Sequence, residues 1–202
     1  MTENELIDLG NRLYQRAMVR SEQEEITDPS GAPIRWMLDT RTPMLDAEFF
    51  SEVGRVLARR LSKKGVTQVA GMGYGAFPLV CSVMSAYPDY DLKGGFIRES
   101  RKAYGRKRIV EGPLDREKPI VLLDDVLNSG KNARHAIQLL REDGFQVVGL
   151  FTLFCFTWGN GKQNLRSENL WVDSLLDLNL RTKADEESGS DTIQQKKAAL
   201  TS

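Results

Sequence analysis

The chain has 202 residues, 41% of them hydrophobic and 28% charged, and its 28 Lys plus Arg are balanced by 28 Asp plus Glu. That length and composition suit a water-soluble globular domain with a real core, and no apolar stretch approaches the length needed to cross a bilayer. A formal charge of zero argues against a general nucleic-acid binder, which carries a net basic surface.

The amino end is an amphipathic helix pattern rather than a secretion signal, so a cytoplasmic protein is expected. Thr2 and Glu5 have capping-box spacing, and Leu6, Leu9, Leu13 and Ala17 share one face, which predicts a helix over about 4–18. Pro29, Gly31 and Pro33 break the next stretch into a loop or short hairpin that closes with an extended 34–38. Asp46 caps a second helix through Phe49, Phe50, Val53, Val56, Leu57 and Leu61, and Gly65 ends it with Lys63 and Lys64 at the carbonyl end. A strand over 66–70, a glycine-rich turn over 71–75 and a helix over 76–86 follow. Residues 92–97 read as a strand, 98–112 as a long polar loop, and 119–123 as a buried strand. A helix over 132–142 stopped by Gly144, a buried strand over 147–154 and an apolar edge piece over 170–180 complete the pattern. Strands alternating with helices predict an α/β fold with a mainly parallel central sheet and flanking helices. One domain spans 1–182, and the polar composition of 183–202 predicts a disordered tail. Cys81 and Cys155 lie in apolar runs without metal or disulfide spacing and read as small core residues.

Chemistry concentrates at residues 120–132, Ile-Val-Leu-Leu-Asp-Asp-Val-Leu-Asn-Ser-Gly-Lys-Asn. An apolar strand delivers Asp124 and Asp125 to its C-terminal end, and a helix begins just beyond a polar turn. Open α/β sheets bind ligands there. Paired carboxylates suit a polyhydroxyl or Mg²⁺-bound group, and amides at a helix start suit a phosphate, so a sugar phosphate satisfies both. The turn Gly71-Met72-Gly73-Tyr74-Gly75 can also turn its amides on an anion, or serve as a plain turn. It is neither a Walker A loop nor a dinucleotide fingerprint. Six cations at 98–108 (Arg98, Arg101, Lys102, Arg106, Lys107, Arg108) face the single acid Glu99. They read as a mobile loop that brings positive charge to a phosphate or pyrophosphate, or as a solvated loop.

These segments, in this order, resemble the type I phosphoribosyltransferases, and among them the orotate phosphoribosyltransferases. The strand-Asp-Asp-turn-Gly element resembles that family's motif for phosphoribosyl pyrophosphate (PRPP), 71–79 its pyrophosphate loop, and 96–105 with Glu111-Gly112 its flexible catalytic loop. Residues 33–41, ending Asp39-Thr40-Arg41, resemble its amino-terminal segment over the base site, within a small hood formed by 1–45. The resemblance implies Mg²⁺-dependent transfer of phosphoribose from PRPP to a nucleobase, by a homodimer, with no metal ligated by protein alone. It assigns the ribose hydroxyls to Asp124 and Asp125. The 5′-phosphate falls to Asn128, Ser129, Gly130, Lys131 and Asn132, and pyrophosphate to Met72, Gly73, Tyr74 and Gly75. Charge on the leaving group falls to Arg98 and Lys102, the latter across the dimer. Arg35, Trp36 and Phe156 are the candidates for the base, with Trp36, Phe156 and Trp158 able to stack on it or to serve the core, and His135 is read as structural.

Departures cluster at functional positions. Glu99 stands where the family has Lys, Tyr104 where it commonly has His, and Asn128 and Lys131 where it favours Thr and a small residue. The base-site Asp-Arg pair is replaced by Phe154-Cys155-Phe156-Thr157-Trp158. Two alternatives follow: a catalytically weak PRPP- or nucleotide-binding regulatory or effector protein, and a nucleotide-processing enzyme of a defence or toxin system.

Overall fold

The computed structural model describes residues 3–28, 30–87, 91–100 and 108–179. The expected tail over 183–202 and the middle of the polar loop, with Lys102 and Tyr104, lie outside them. Helix α1 (Glu3–Ala17) leads into strand β1 (Met18–Arg20), which pairs antiparallel with β2 (Trp36–Leu38), Arg20 opposite Trp36. With the Thr27–Pro33 bridge, this is the short hairpin expected where Pro and Gly interrupt the helical pattern. A single turn, α2 (Arg41–Met44), precedes α3 (Ala47–Lys63). The Asp46 side chain caps α3 by accepting from the Glu48 amide, and Gly65 turns the chain out with φ +67°.

The main sheet comprises β3 (Gln68–Met72), β4 (Lys93–Ile97), β5 (Val110–Glu111), β6 (Ile120–Leu127), β7 (Val147–Phe156) and β8 (Trp171–Leu178), in the order β5-β4-β3-β6-β7-β8. All neighbours are parallel except β5, which runs antiparallel to β4. Helix α4 (Gly73–Ala86) follows β3, α5 (Lys131–Glu142) follows β6, and α6 (Gly161–Arg166) follows β7. Side chains alternate through β6: Val121 and Leu123 join the core under α1, α3 and α4, whereas Ile120 and Leu122 join the one under α5. Both faces are covered, which is why these strands read as unbroken apolar runs. From β3 the chain crosses toward β4, and from β6 it crosses the other way toward β7. The order therefore reverses between β3 and β6, and a crevice opens at their C-terminal ends. No helix among the described residues is long and apolar enough to cross a membrane.

The structure corrects several expectations. Strand β6 does not stop before the acids but runs on to Leu127, because β7 continues to pair with it through Val126–Phe154 and Leu127–Cys155. No separate glycine turn separates β3 from α4. The strand reaches Met72, and Gly73, at φ +83°, turns the chain straight into the helix. Cys81 is exposed on the outer side of α4 rather than buried, while Cys155 is buried as expected. Strand β5, helix α6 and the 3-10 turn Thr157–Gly159 carry no clear periodicity in the sequence.

Helices α3 and α4 cross where Gly54 faces Ser82, and a Cβ on Gly54 would collide with the Ser82 carbonyl, its carbon only 2.8 Å away. Gly54→Ala, which elsewhere in a helix gains up to about 1 kcal/mol, is therefore expected to cost about 1–3 kcal/mol by overpacking. Urea denaturation of wild type and variant checks this, and an unchanged or raised midpoint counts against the close crossing.

Candidate active site

The acids sit at the crevice. Pairing between β3 and β6 ends at Gly71–Leu123, so Asp124 and Asp125 project beyond β3 while β7 still holds their backbone. Successive residues of a strand leave on opposite sides, which sends Asp125 toward the hood and α4 and Asp124 toward α5. Thr40, 1% exposed, donates from Oγ1 to Asp125 Oδ2 at 2.5 Å and so joins the hood to the acid pair. Gly75 lies so close that a Cβ would occupy the position of the Asp125 carboxylate, leaving its Oδ1 only 2.9 Å away. Glycine is thus required here by space rather than by its backbone angles. The Asp124 carboxylate accepts from the Asp125 amide at 3.0 Å.

Burial, and then the charge of Asp125, push Asp124 up to about 8. A cavity of about 580 Å³ opens over the acids, lined by Met72, Gly73, Gly75, Glu99, Asn132 and His135 among others. Tyr74 is absent from that lining. Its side chain, 81% exposed, turns outward and meets the Phe77 ring edge-on at 6.2 Å, so only its backbone can serve an anion in the cavity. His135, taken as structural from sequence, is exposed and lines the cavity.

Beyond β6, Asn128 and Ser129 are exposed, Gly130 takes φ +81°, and α5 starts at Lys131. The first amides of α5 thus flank the acids, as a phosphate site requires. Arg98 leaves β4 beside Glu99, and its Nε is buried without a hydrogen-bond partner. Its amide donates to Ile109, and β4–β5 pairing brings together the two ends of the polar loop.

At the far end of β7, Trp158 stacks on Phe156 with centroids 4.5 Å apart, and Phe156 meets Trp36 of the hood edge-on at 5.9 Å. The three rings expected from the sequence thus meet in one aromatic cluster. Arg35 is exposed in the bend that precedes β2, next to Trp36 in the chain. Thr40, Glu99 and His135 were not assigned to the site. Thr40 carries a signal in its place within Asp39-Thr40-Arg41 and Glu99 in its place within the loop motif, whereas nothing local marks His135.

The deciding comparison is with an orotate phosphoribosyltransferase of Synechocystis, 33% identical over 152 residues, a match that spans 74% of this chain and 76% of that protein. The chain belongs to the orotate phosphoribosyltransferase family. It is accordingly a phosphoribosyltransferase enzyme with a type I phosphoribosyltransferase fold. No protein-family model matches it. Among solved structures, a phosphoribosyltransferase from Corynebacterium diphtheriae superposes with TM-score 0.72 at 22% identity, covering 86% of this chain and 96% of that one. The Mycobacterium tuberculosis orotate phosphoribosyltransferase in complex with PRPP superposes with TM-score 0.69 at 20% identity, covering 85% and 95%. At those identities the superpositions speak for the fold.

The raised Asp124 has a stability consequence. In the unfolded chain an Asp ionises near about 3.9. Below that pH the carboxyl is neutral in both states and costs nothing; as pH rises toward the folded value the ligand-free fold is progressively penalised. Asp124→Asn is therefore expected to raise the melting temperature of the ligand-free protein at pH 8, by an amount that vanishes near pH 4. Thermal melts across that range check the sign.

Proposed function

We propose that this enzyme transfers the 5-phosphoribosyl group of PRPP to a ring nitrogen of a nucleobase, with Mg²⁺, releasing pyrophosphate. The observation that carries the reading is the acid pair at the topological switch point, flanked on one side by the start of α4 and on the other by the start of α5. Asp124 and Asp125 would hold the ribose 2′ and 3′ hydroxyls. Residues 128–132 would surround the 5′-phosphate through backbone amides and the donors of Asn128, Ser129, Lys131 and Asn132. Met72, Gly73, Tyr74 and Gly75 would cradle pyrophosphate with their amides, and the unpaired Nε of Arg98 fits a protein that awaits an anionic partner.

Among the described residues no three His, Cys, Asp or Glu side chains gather to hold a metal. Asp124 and Asp125 would hold Mg²⁺ only indirectly, through the ribose hydroxyls they order, which suits an ion that keeps water and substrate oxygens in its shell. When bound, the ion would neutralise charge on the pyrophosphate. In the reaction the bond from the anomeric carbon to the pyrophosphate oxygen breaks, its electron pair leaves with pyrophosphate, and the ring nitrogen forms the new bond and gives up its proton. No side-chain nucleophile is required. Asp124 and Asp125 would fix the sugar and stabilise positive charge as it develops on the ring, while Arg98 and Lys102 would meet the departing negative charge.

The reading extends to a homodimer in which Lys102 acts on the partner's site. An apolar groove of about 530 Å³ beside the pyrophosphate turn supports it, lined by Leu45 (76% exposed), Phe50, Tyr74, Phe77, Pro78 and Cys81 with Arg41. Burying such side chains is what a subunit interface gains most from. One observation favours a second reading, a PRPP-binding protein with little turnover: Glu99 puts a negative charge into the cavity meant for pyrophosphate.

Incubation with PRPP, Mg²⁺ and a panel of free bases, followed by pyrophosphate release, separates these. Release with one base supports the transferase; PRPP binding without release supports the second reading; loss of PRPP without any base supports a nucleotide-processing enzyme. Gly75→Ala, which displaces Asp125, is expected to weaken PRPP binding by about tenfold or more, the equivalent of about 1.4 kcal/mol or greater, as does loss of one charged hydrogen bond. Unchanged affinity by calorimetry would sink the proposed ribose site. Mixing Lys102→Ala with Asp125→Asn protein should restore part of the lost activity if Lys102 works across the dimer, because one hybrid site then has both residues intact. No restoration, with subunit exchange verified, rules out the crossed site.

A further inference from the structure

We infer that the acceptor is an uncharged planar heteroaromatic ring stacked on Trp158, so that selection rests on stacking and not on an ion pair with the base. The inference rests on the transferase reading and concerns the end of the cleft that reading leaves open. Its first support is the platform itself. Phe156, almost fully buried, backs one face of Trp158 at 4.5 Å and an interplanar angle of 29°, yet Trp158 remains 46% exposed. Trp36 closes on the edge of Phe156, so a ladder of rings runs from the hood to the end of β7. An aromatic ring backed on one side and open on the other suits a flat ligand.

The second support is how Trp158 is tied to the phosphate turn. The Gly161 amide donates to the Asn128 carbonyl at 3.0 Å. Side chains on Gly159 or Gly161 would collide with Asn128, and one on Gly161 would also sit 2.9 Å from the Gly130 nitrogen. Backbone therefore packs on backbone, and Asn160 between the two glycines takes the left-handed conformation at φ +55°. The ring platform and the proposed 5′-phosphate turn form one unit with a set spacing. A nucleoside monophosphate presents its base and its phosphate at such a set spacing.

The third support is charge. The groups around the platform (Asn128, Thr157, Asn160, Asn179) are neutral. Lys162, on the same segment, is held by both oxygens of Asp177 at 3.0 and 2.8 Å and by Ser174 at 3.2 Å. In the hood, Arg41 is engaged by both oxygens of Asp39 at 2.7 and 3.0 Å, which holds the Asp39 carboxyl below the ordinary carboxylate range. Arg20, opposite Trp36, has a contact of its own, and Arg35 is exposed in the bend before β2. Among the described residues, Lys162 and Arg41 are thus held by carboxylates and poorly placed to meet an anionic ring substituent.

The test uses the full chain with PRPP and Mg²⁺, comparing unsubstituted purine and pyrimidine bases with the carboxylated pyrimidine orotate. Expected is nucleotide formation with at least one uncharged base and less than about a tenth of that kcat/KM with orotate. Trp158→Ala should raise the acceptor KM about tenfold or more while the KM for PRPP holds, and Trp158→Phe should largely rescue it. Orotate as the better acceptor overturns the inference, most directly if Arg20→Met then abolishes its use; so does an acceptor KM that ignores Trp158→Ala. If no base is turned over, the transferase reading fails first. Equilibrium binding of uridine and adenosine monophosphates against orotidine monophosphate then decides the inference alone: tighter binding of a nucleotide whose base is uncharged, lost in Trp158→Ala, upholds it, and tighter orotidine monophosphate or no effect of Trp158→Ala overturns it.

Discussion

The site depends on holding two neighbouring carboxylates at the end of a buried strand. Like charges on adjacent residues repel, and burial raises the cost of ionising either. This protein meets that cost with local devices. Thr40 donates to Asp125, the Asp125 amide donates to Asp124, and Asp124 is pushed up to about 8, where it is readily neutral in the ligand-free state. The proposed sugar, bringing hydroxyls and a cation, would convert that liability into binding by supplying the carboxylates with further donors. A stable resting pair would have less to gain from the ligand.

Holding the pair also dictates the surroundings. Asp125 can reach the hood only because Gly75 has no side chain, and Gly75 opens α4 only because Gly73 turns the chain sharply out of β3. The hood is thus more than a cover. Thr40 lies just before α2, and its bond to Asp125 couples the position of the β1–β2 hairpin to the state of the acids. Any ligand that competes for Asp125 Oδ2 competes with the hood for the same atom.

Most of the fold was legible because both faces of the sheet are covered: continuous apolar runs marked the strands, and 3.6-residue periodicity marked α1, α3 and α5. The acid pair, the phosphate turn and the glycines were legible for a different reason, since their chemistry is local in sequence. What escaped reading is set by partners distant in the chain. The extra length of β6 comes from β7, and no feature of Val126-Leu127 announces it. Cys81 was misplaced because α4 is apolar on every side, so periodicity cannot say which face meets solvent; the exposed face belongs to the groove with Leu45 and Phe50. Glu99 and His135 reach the cavity, and Thr40 reaches Asp125, through tertiary approach. The segment after β7 was obscure because Gly159-Asn160-Gly161 is selected for fit against Asn128 and not for helix formation.

The two ends of the cleft are built from different materials, and this bears on how the chain departs from its family. At the proposed ribose and phosphate end carboxylates and backbone amides would make the contacts, and Gly75 cannot be enlarged without displacing Asp125. At the proposed base end the contacts would fall to the side chains of Trp36, Phe156 and Trp158, the last on a short segment whose backbone packs against Asn128. Replacing one of those rings leaves the acids and their glycines in place, whereas enlarging Gly75 displaces Asp125. A protein assembled this way can alter what receives the phosphoribosyl group without rebuilding what donates it, and an altered acceptor is the first place to look for the meaning of the missing base-site arginine.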